Sequence, residues 1–337
     1  TEATSGSGIT FAKDVIPATP LSHRNLIING DFQVWQRATS ATSYNAFASA
    51  DRWKHLTAGQ VEKTTDNSAN RNHVLKFTTS NSQSVNYIRQ KVEAPADYMG
   101  NTLTLSFWMK TSEVLTTRVD FWLSNASGTY VINGFHNGSS TGSGNNYLAL
   151  AENTSTSWKR HTVQVYIPNY TPKTDNTDNL EVNIGVADGT ATGKEVYIDQ
   201  VQLELGSVAT PFEHRSYGDE LARCQRYFIA YGLNDSGSPS TSAETIFRST
   251  TPGAANTITS SACFANVDLP VRLRTGSPTF TPLAAYNGSG SNQSNTNWAP
   301  FVSTGNAQRI CIQKGSSNDL GTNQTIIALA FTVSAEL

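Results

Sequence analysis

The chain has 337 residues, and its 24 Lys plus Arg nearly balance its 26 Asp plus Glu, for a formal net charge of -2. Only 15% of the residues are charged, well under the ~25% of an ordinary soluble domain, so the sequence carries no basic track for nucleic acid and none is expected as a partner. No stretch approaches the ~18 apolar residues of a membrane span, and TEATSGSGIT at the start lacks the charged and apolar regions of a signal peptide. Membrane insertion is therefore not expected. The three cysteines, Cys224, Cys263 and Cys311, are too few and too odd a set for a disulfide framework. The length predicts two domains, and 37% hydrophobic content with 14 Phe, 12 Tyr and 6 Trp is enough to fill two cores. Asn, Ser, Thr and Gly stand where charge is missing; they compete with helix and favour turns, which predicts an all-β chain.

Residues 1–24, with Gly6, Gly8, Pro17 and Pro20, read as an arm or linker. A strand is predicted at VLKFTT from Val74. The next, LTLSFWMK, sets Leu103, Leu105, Phe107 and Met109 on one face and Thr104, Ser106, Trp108 and Lys110 on the other. RVDFWL repeats the pattern, followed by HTVQVYIP from His161, LEVNIGV from Leu180 and EVYIDQVQLEL from Glu195. Loops such as NGSSTGSGNN separate these strands, so residues 25–213 are predicted to form a β-sandwich or barrel. Ser216 and Asp219 form a capping-box start for one short helix, with Leu221, Cys224 and Phe228 on one side. That helix marks a seam. Beyond it YFIAYG, TIFRS, ACFANVDLPVRL, QRICIQK and TIIALAFTVSAEL predict a smaller β domain over 214–337.

Two segments, NLIINGDFQVWQR (25–37) and YIDQVQLELGSVATPFEHRSYGDELARCQRYF (197–228), resemble the opening and closing motifs of bacteriophage tail-fibre and other virion structural proteins that carry a carbohydrate-binding-module-like jelly roll. The resemblance implies a jelly-roll β-sandwich followed by a C-terminal β domain. It further implies a tail fibre or similar appendage of the virion that meets host surface polysaccharide and other virion proteins. Two rival roles are a purely architectural virion part and an accessory module of a secreted carbohydrate-active enzyme. Such modules often hold a structural calcium between the opening and closing segments, which nominates Asn29, Asp31 and Asp199 here.

Catalytic signatures are missing from the sequence. It contains neither G-x-x-x-x-G-K-[ST] nor H-E-x-x-H. GSSTG around Ser140 matches G-x-S-x-G but falls in a Gly/Ser/Asn loop instead of a strand-to-helix turn. A spatial carboxylate pair among Asp120, Glu181 and Asp199 is the remaining route to a hydrolase; a non-enzyme is expected. Aromatic residues carry more. If 103–110 and 117–123 pair as a hairpin, Trp108 and Trp122 become diagonal neighbours beside Lys110, Arg118 and Asp120, a platform on which a sugar can stack. Arg160, Gln164 and Tyr166 would extend it. Trp35, Trp53 and Trp158 read as core plugs. In the closing strand Ile327, Leu329, Phe331 and Val333 share one face and Ile326, Ala328 and Ala330 make the other apolar too, so self-association through the second domain is expected, for which the alternation alone permits a dimer and the fibre resemblance implies a homotrimer.

Overall fold

The predicted alternation over residues 25–205 is realised as two antiparallel sheets packed face to face. The structure, a computed structural model, describes residues 24–80, 86–133, 153–173, 178–186, 190–231, 263–274, 278–287, 292–293, 298–302, 309–314 and 326–336. Most of the expected arm, Ser140 and the TIFRS strand lie outside them. The strands of this region are β1 (Ser40–Ala41), β2 (Lys54–Leu56), β3 (Val61–Asp66), β4 (Arg71–Thr78), β5 (Asn86–Glu93), β6 (Thr102–Thr111), β7 (Thr117–Ser124), β8 (Tyr130–Asn133), β9 (Lys159–Tyr166), β10 (Asn179–Val186) and β11 (Glu195–Leu205). They are ordered β1-β3-β4-β11-β6-β9 in one sheet and β2-β5-β10-β7-β8 in the other. Between the sheets lie Leu75, Phe77, Leu105, Phe107 and Ile198 from the first and Ile88, Phe121, Val182 and Ile184 from the second, all with no measurable exposure. This is a jelly-roll β-sandwich.

One pairing corrects the sequence reading. β6 lies between β11 and β9, whereas β7 lies between β10 and β8, so 103–110 and 117–123 do not form a hairpin. The connection between them crosses from one sheet to the other, which puts Trp108 and Trp122 on opposite outer faces. Alternation tells which residues point inward, but both outer faces of a sandwich give the same signal.

The opening and closing motifs interlock. Leu26 N donates to Leu203 O (2.8 Å), Asn25 Nδ2 to Val201 O (3.1 Å) and Leu203 N to Asn25 Oδ1 (3.1 Å). The NGD segment is a turn: Asn29 and Phe32 have left-handed φ values of 57° and 53°, and Phe32 N donates to Asn29 O. Gly30 passes directly under β11, where Val201 N donates to Gly30 O at 2.7 Å. At that point β11 bulges between Asp199 and Gln202, with Gln200 at φ 52°. The extra residue lets both Ile198 and Val201 face the core while Asp199 and Gln202 turn to the opposite face of the sheet, where both are covered.

Past the sandwich, α1 (Tyr217–Gln225) starts as expected, with Ser216 Oγ accepting from Asp219 N at 3.2 Å. Its buried residues are Glu220 and Cys224; it ends before Phe228, which belongs instead to β12 (Phe228–Tyr231). The remaining strands are β13 (Cys263–Asp268), β14 (Thr279–Asn287), β15 (Asn292–Gln293), β16 (Trp298–Val302), β17 (Arg309–Lys314) and β18 (Ile326–Ser334), in sheets β12-β18-β14-β15 and β13-β17-β16. β18 is a central strand, and its Phe331 and Val333 are fully buried, with Phe331 stacked on Tyr231 and Phe280 at 5.0 and 5.1 Å between ring centres. Two residues beyond β18, Glu336 enters the sandwich side of the seam. Its carboxylate bridges Arg37 (2.9 Å) and Arg52, Arg37 also pairs with Asp51 (2.7 Å), and the two guanidiniums lie over Phe228 and Tyr227. Among the described residues no helix is long and apolar enough to cross a membrane.

Candidate functional site

The sandwich offers two outer faces, and they differ in what is left for a ligand. On the six-stranded face, Arg71 stacks between Trp108 and Trp158, its guanidinium carbon 4.7 and 4.4 Å from their ring centres, and pairs with Asp199. Lys110 lies 4.7 Å from the Tyr197 ring centre and pairs with Asp66, which also accepts from Trp158 Nε1 at 2.9 Å. These bonds to Lys110, Ser68 and Trp158 hold the Asp66 carboxyl well below the usual carboxylate range. Trp108 is therefore covered by its own sheet, and Trp158 is a half-buried part of that cover, not the core plug expected; Trp53 is buried in the core. Arg160, Gln164 and Tyr166 do alternate outward on β9, with Arg160 directly opposite Trp108. Arg160 donates to Ser106 Oγ (3.0 Å) and Thr210 O, and Gln164 to Ser207 O, so the chain after β11 folds over this face.

The five-stranded face is built differently. Its register aligns Arg89, Asn183 and Asp120 in one row and Lys91, Glu181 and Trp122 in the next, with Tyr87, Gly185 and Arg118 on the other side. The middle row is knitted together: Arg89 Nε donates to Asn183 Oδ1 (2.7 Å), Asn183 Nδ2 to the Asp120 carbonyl (3.4 Å), and Arg118 Nε to Asp120 Oδ2. Glu181 bridges Arg89 (3.1 Å) and Lys91 (3.4 Å). Aromatic rings bound this polar strip. Tyr87, buried beneath Arg118 at 4.7 Å, closes one end, and Trp122 with Tyr130 edge-on at 5.2 Å borders the other, where ring surface is left exposed. Gly185 keeps the floor low, since a Cβ there would sit 2.6 Å from Tyr87 Cβ. Tyr130 is 46% exposed, a large fraction for an aromatic ring.

The predicted set is thus divided: Trp122, Arg118 and Asp120 share the five-stranded face, while Trp108, Lys110, Arg160, Gln164 and Tyr166 share the other. Tyr87, Arg89, Lys91, Asn183 and Tyr130 join the first group and were not found from sequence. The carboxylates weighed as a hydrolytic pair are divided too, because Asp199 is on the six-stranded side. Asp120 and Glu181 share a face, but both are tied to cations, so neither is offered as a free acid. Ser49 Oγ and His55 Nε2 are 2.5 Å apart, yet both are wholly buried, and burial pushes the His55 imidazole down to about 4.

The calcium nominees have other duties. Asn29 is fully buried, its Nδ2 donating to Val34 O and Asp51 O and its Oδ1 accepting from Val34 N. Burial raises Asp31, which accepts from Gln33 (3.1 Å), and pushes Asp199 up to about 6 against the pull of Arg71. Among the described residues no group of three His, Cys, Asp or Glu is placed to hold a metal.

No family model and no curated protein matches the chain. Solved structures similar to it include a CBM4 module (17% identity, 53% of this chain and 98% of that one, TM-score 0.33). Others are the CBM22-1 xylan-binding domain from Paenibacillus barcinonensis Xyn10C (12% identity, 52% and 97%, TM-score 0.33) and the enzymatically active domain of bacteriophage CBA120 tailspike protein 4 (14% identity, 54% and 21%, TM-score 0.33). Identities this low assign no ligand and no residue role.

Proposed function

We propose that the sandwich is a non-catalytic glycan-binding module whose ligand lies across the five-stranded face. The observation that carries this reading is the accessible part of the strip: Arg89, Lys91 and Glu181, part-exposed and paired with one another, lie on the same face as the rings of Trp122 and Tyr130, while Asn183, Asp120 and Tyr87 are themselves buried and serve to fix Arg89 and its neighbours in place. A sugar has an apolar C–H face and a rim of hydroxyls, so it needs an aromatic surface beside prearranged donors and acceptors. The six-stranded face supports it less, because Arg71 occupies the space over Trp108.

The setting we propose follows the motif resemblance: a tail fibre or spike component on the virion, binding polysaccharide of the host surface, with the second half of the chain joining a homotrimer. A purely architectural role predicts no ligand on either face. Trp122→Ala is expected to weaken binding to the recognised member of a panel of xylo-, cello- and galacto-oligosaccharides by about 30-fold, equivalent to ~2 kcal/mol, with little change in melting temperature. Trp108→Ala is expected to do the reverse, lowering stability and sparing affinity. Calorimetric titration with thermal melts checks both; loss of affinity with Trp108→Ala alone moves the site to the other face, and no binding anywhere in the panel favours the architectural role.

A further inference from the structure

A cavity of about 740 Å³ opens at the seam where the β11–α1 connection, α1 and residues 271–272 meet. That volume lies within the ~300–1,000 Å³ range of small-ligand sites. Its lining is strongly basic: His214, Arg215, Arg223, Arg226 and Arg272 contribute, against two carboxylates, Glu213 and Asp219. Both acids already have partners. Glu213 accepts from Asn25 N (2.9 Å) and pairs with Arg215 (3.4 Å), and Asp219 accepts from the cap hydroxyl of Ser216 (2.8 Å). Arg215 is equally committed, donating to Asn25 O and Ile27 O and pairing with Glu220, with 7% of its side chain exposed. Arg226 reaches Glu93 at 3.1 Å but remains half exposed. Arg223 and Arg272 differ from these, since no carboxylate among the described residues lies within ion-pair distance of either.

The three arginines are presented together. Arg223 is in the last turn of α1 and Arg226 is its C-cap residue, three positions on and still of helical conformation, so the two lie side by side; Ala222 lines the cavity with them, and Arg272 joins from a separate segment. Guanidinium groups converging on one cavity match an oxyanion, which they bind through paired N–H donors. A bounded, half-open cavity whose charged groups are mainly guanidiniums and whose walls also carry apolar surface suits an anion carried on one or two sugar rings, with their C–H faces, whereas a nucleic acid backbone calls for an extended basic track. We propose that this seam cavity is an anion-selective saccharide site, distinct from the five-stranded face and independent of it, that takes the acidic residue of a polysaccharide through Arg223 and Arg272, with Arg226 at its edge.

The test uses the full chain and trigalacturonate as the carboxylate probe, with glucose 1-phosphate as the phosphate-bearing alternative. Trigalacturonate is expected to bind, its affinity falling with added salt, and Arg223→Gln combined with Arg272→Gln is expected to weaken it at least about 10-fold with the melting temperature held. Tighter binding of glucose 1-phosphate than of trigalacturonate, lost in the same double variant, supports the site with phosphate as its source of charge. Trp122→Ala should leave this binding intact, so failure here and failure of the five-stranded site are told apart. Equal affinity for methyl-esterified trigalacturonate, an unaffected double variant, or equally tight binding of a short single-stranded DNA overturns the proposal.

Discussion

Gly30→Ala is expected to destabilise the sandwich by about 3 kcal/mol or more, enough to prevent folding in a marginal background. A Cβ at residue 30 would sit 2.1 Å from the carbonyl oxygen of Val201 and 3.3 Å from Asn25 Nδ2. Both are part of the junction between the opening motif and β11: that carbonyl accepts from Asn25, and Val201 N donates to Gly30 O. Neither side can yield cheaply, because the obstructing atom is backbone in a strand central to its sheet. The position is fixed by close approach and not by a left-handed conformation. Gly218→Ala is the control, since nothing lies within 4 Å of its Cβ and it sits in the first turn of α1, where alanine is the better helix former. Chemical denaturation is expected to show a large loss for the first and none for the second; equal stability of Gly30→Ala and the parent would mean that the two motifs do not touch as described.

Glu336→Ala is expected to cost about 3 kcal/mol, because removing one member of a buried ion pair leaves the other charge uncompensated. Arg52 has 1% of its side chain exposed and Arg37 has 9%, and Glu336 is the carboxylate that serves both. Arg37 keeps Asp51, but among the described residues Arg52 keeps only the Lys91 carbonyl (2.9 Å) and the Tyr227 ring. A double variant, Arg52→Met with Glu336→Leu, should recover much of the loss, which a double-mutant cycle reads directly. Asp51 gives the cluster a pH response. Burial pushes it up to about 6, above its ordinary 3.8, with Arg37 opposing and Glu336 adding to the rise. A carboxyl whose folded value is raised is penalised while ionised, so its contribution becomes more favourable as pH falls from about 6 towards 4. An unchanged denaturation midpoint for Glu336→Ala would show that the C-terminal tail is not clamped at the seam.

These two positions also show what the sequence made legible. The β11 strand and the Ser216 cap were each readable because a local rule governs them: alternation and capping. Inward and outward residues of β6 and β7 were readable for the same reason. Which sheet each strand joins was not, since partner choice in a jelly roll is decided by contacts far apart in sequence, and the hairpin reading of Trp108 and Trp122 failed there. β5 was missed altogether. Its inward row is Ile88, Gln90 and Val92, and the buried Gln90, bonded to the backbone of Ile28 on both sides at 2.8 Å, interrupts the apolar alternation. With β5 went Tyr87, Arg89 and Lys91, one of the three strands that the strip crosses. The Glu336 clamp joins residues 284 and 299 positions apart, and no local pattern announces it.

The most direct measurement of ligand placement is the indole N–H spectrum of the 15N-labelled full chain during titration with the oligosaccharide that binds. With six tryptophans the spectrum is small enough to assign by single Trp→Phe variants. The Trp122 resonance should move progressively to saturation while those of Trp108, Trp158 and the buried Trp53 stay in place. Movement of Trp108 and Trp158 with Trp122 unchanged would put the ligand on the six-stranded face and contradict the site described above.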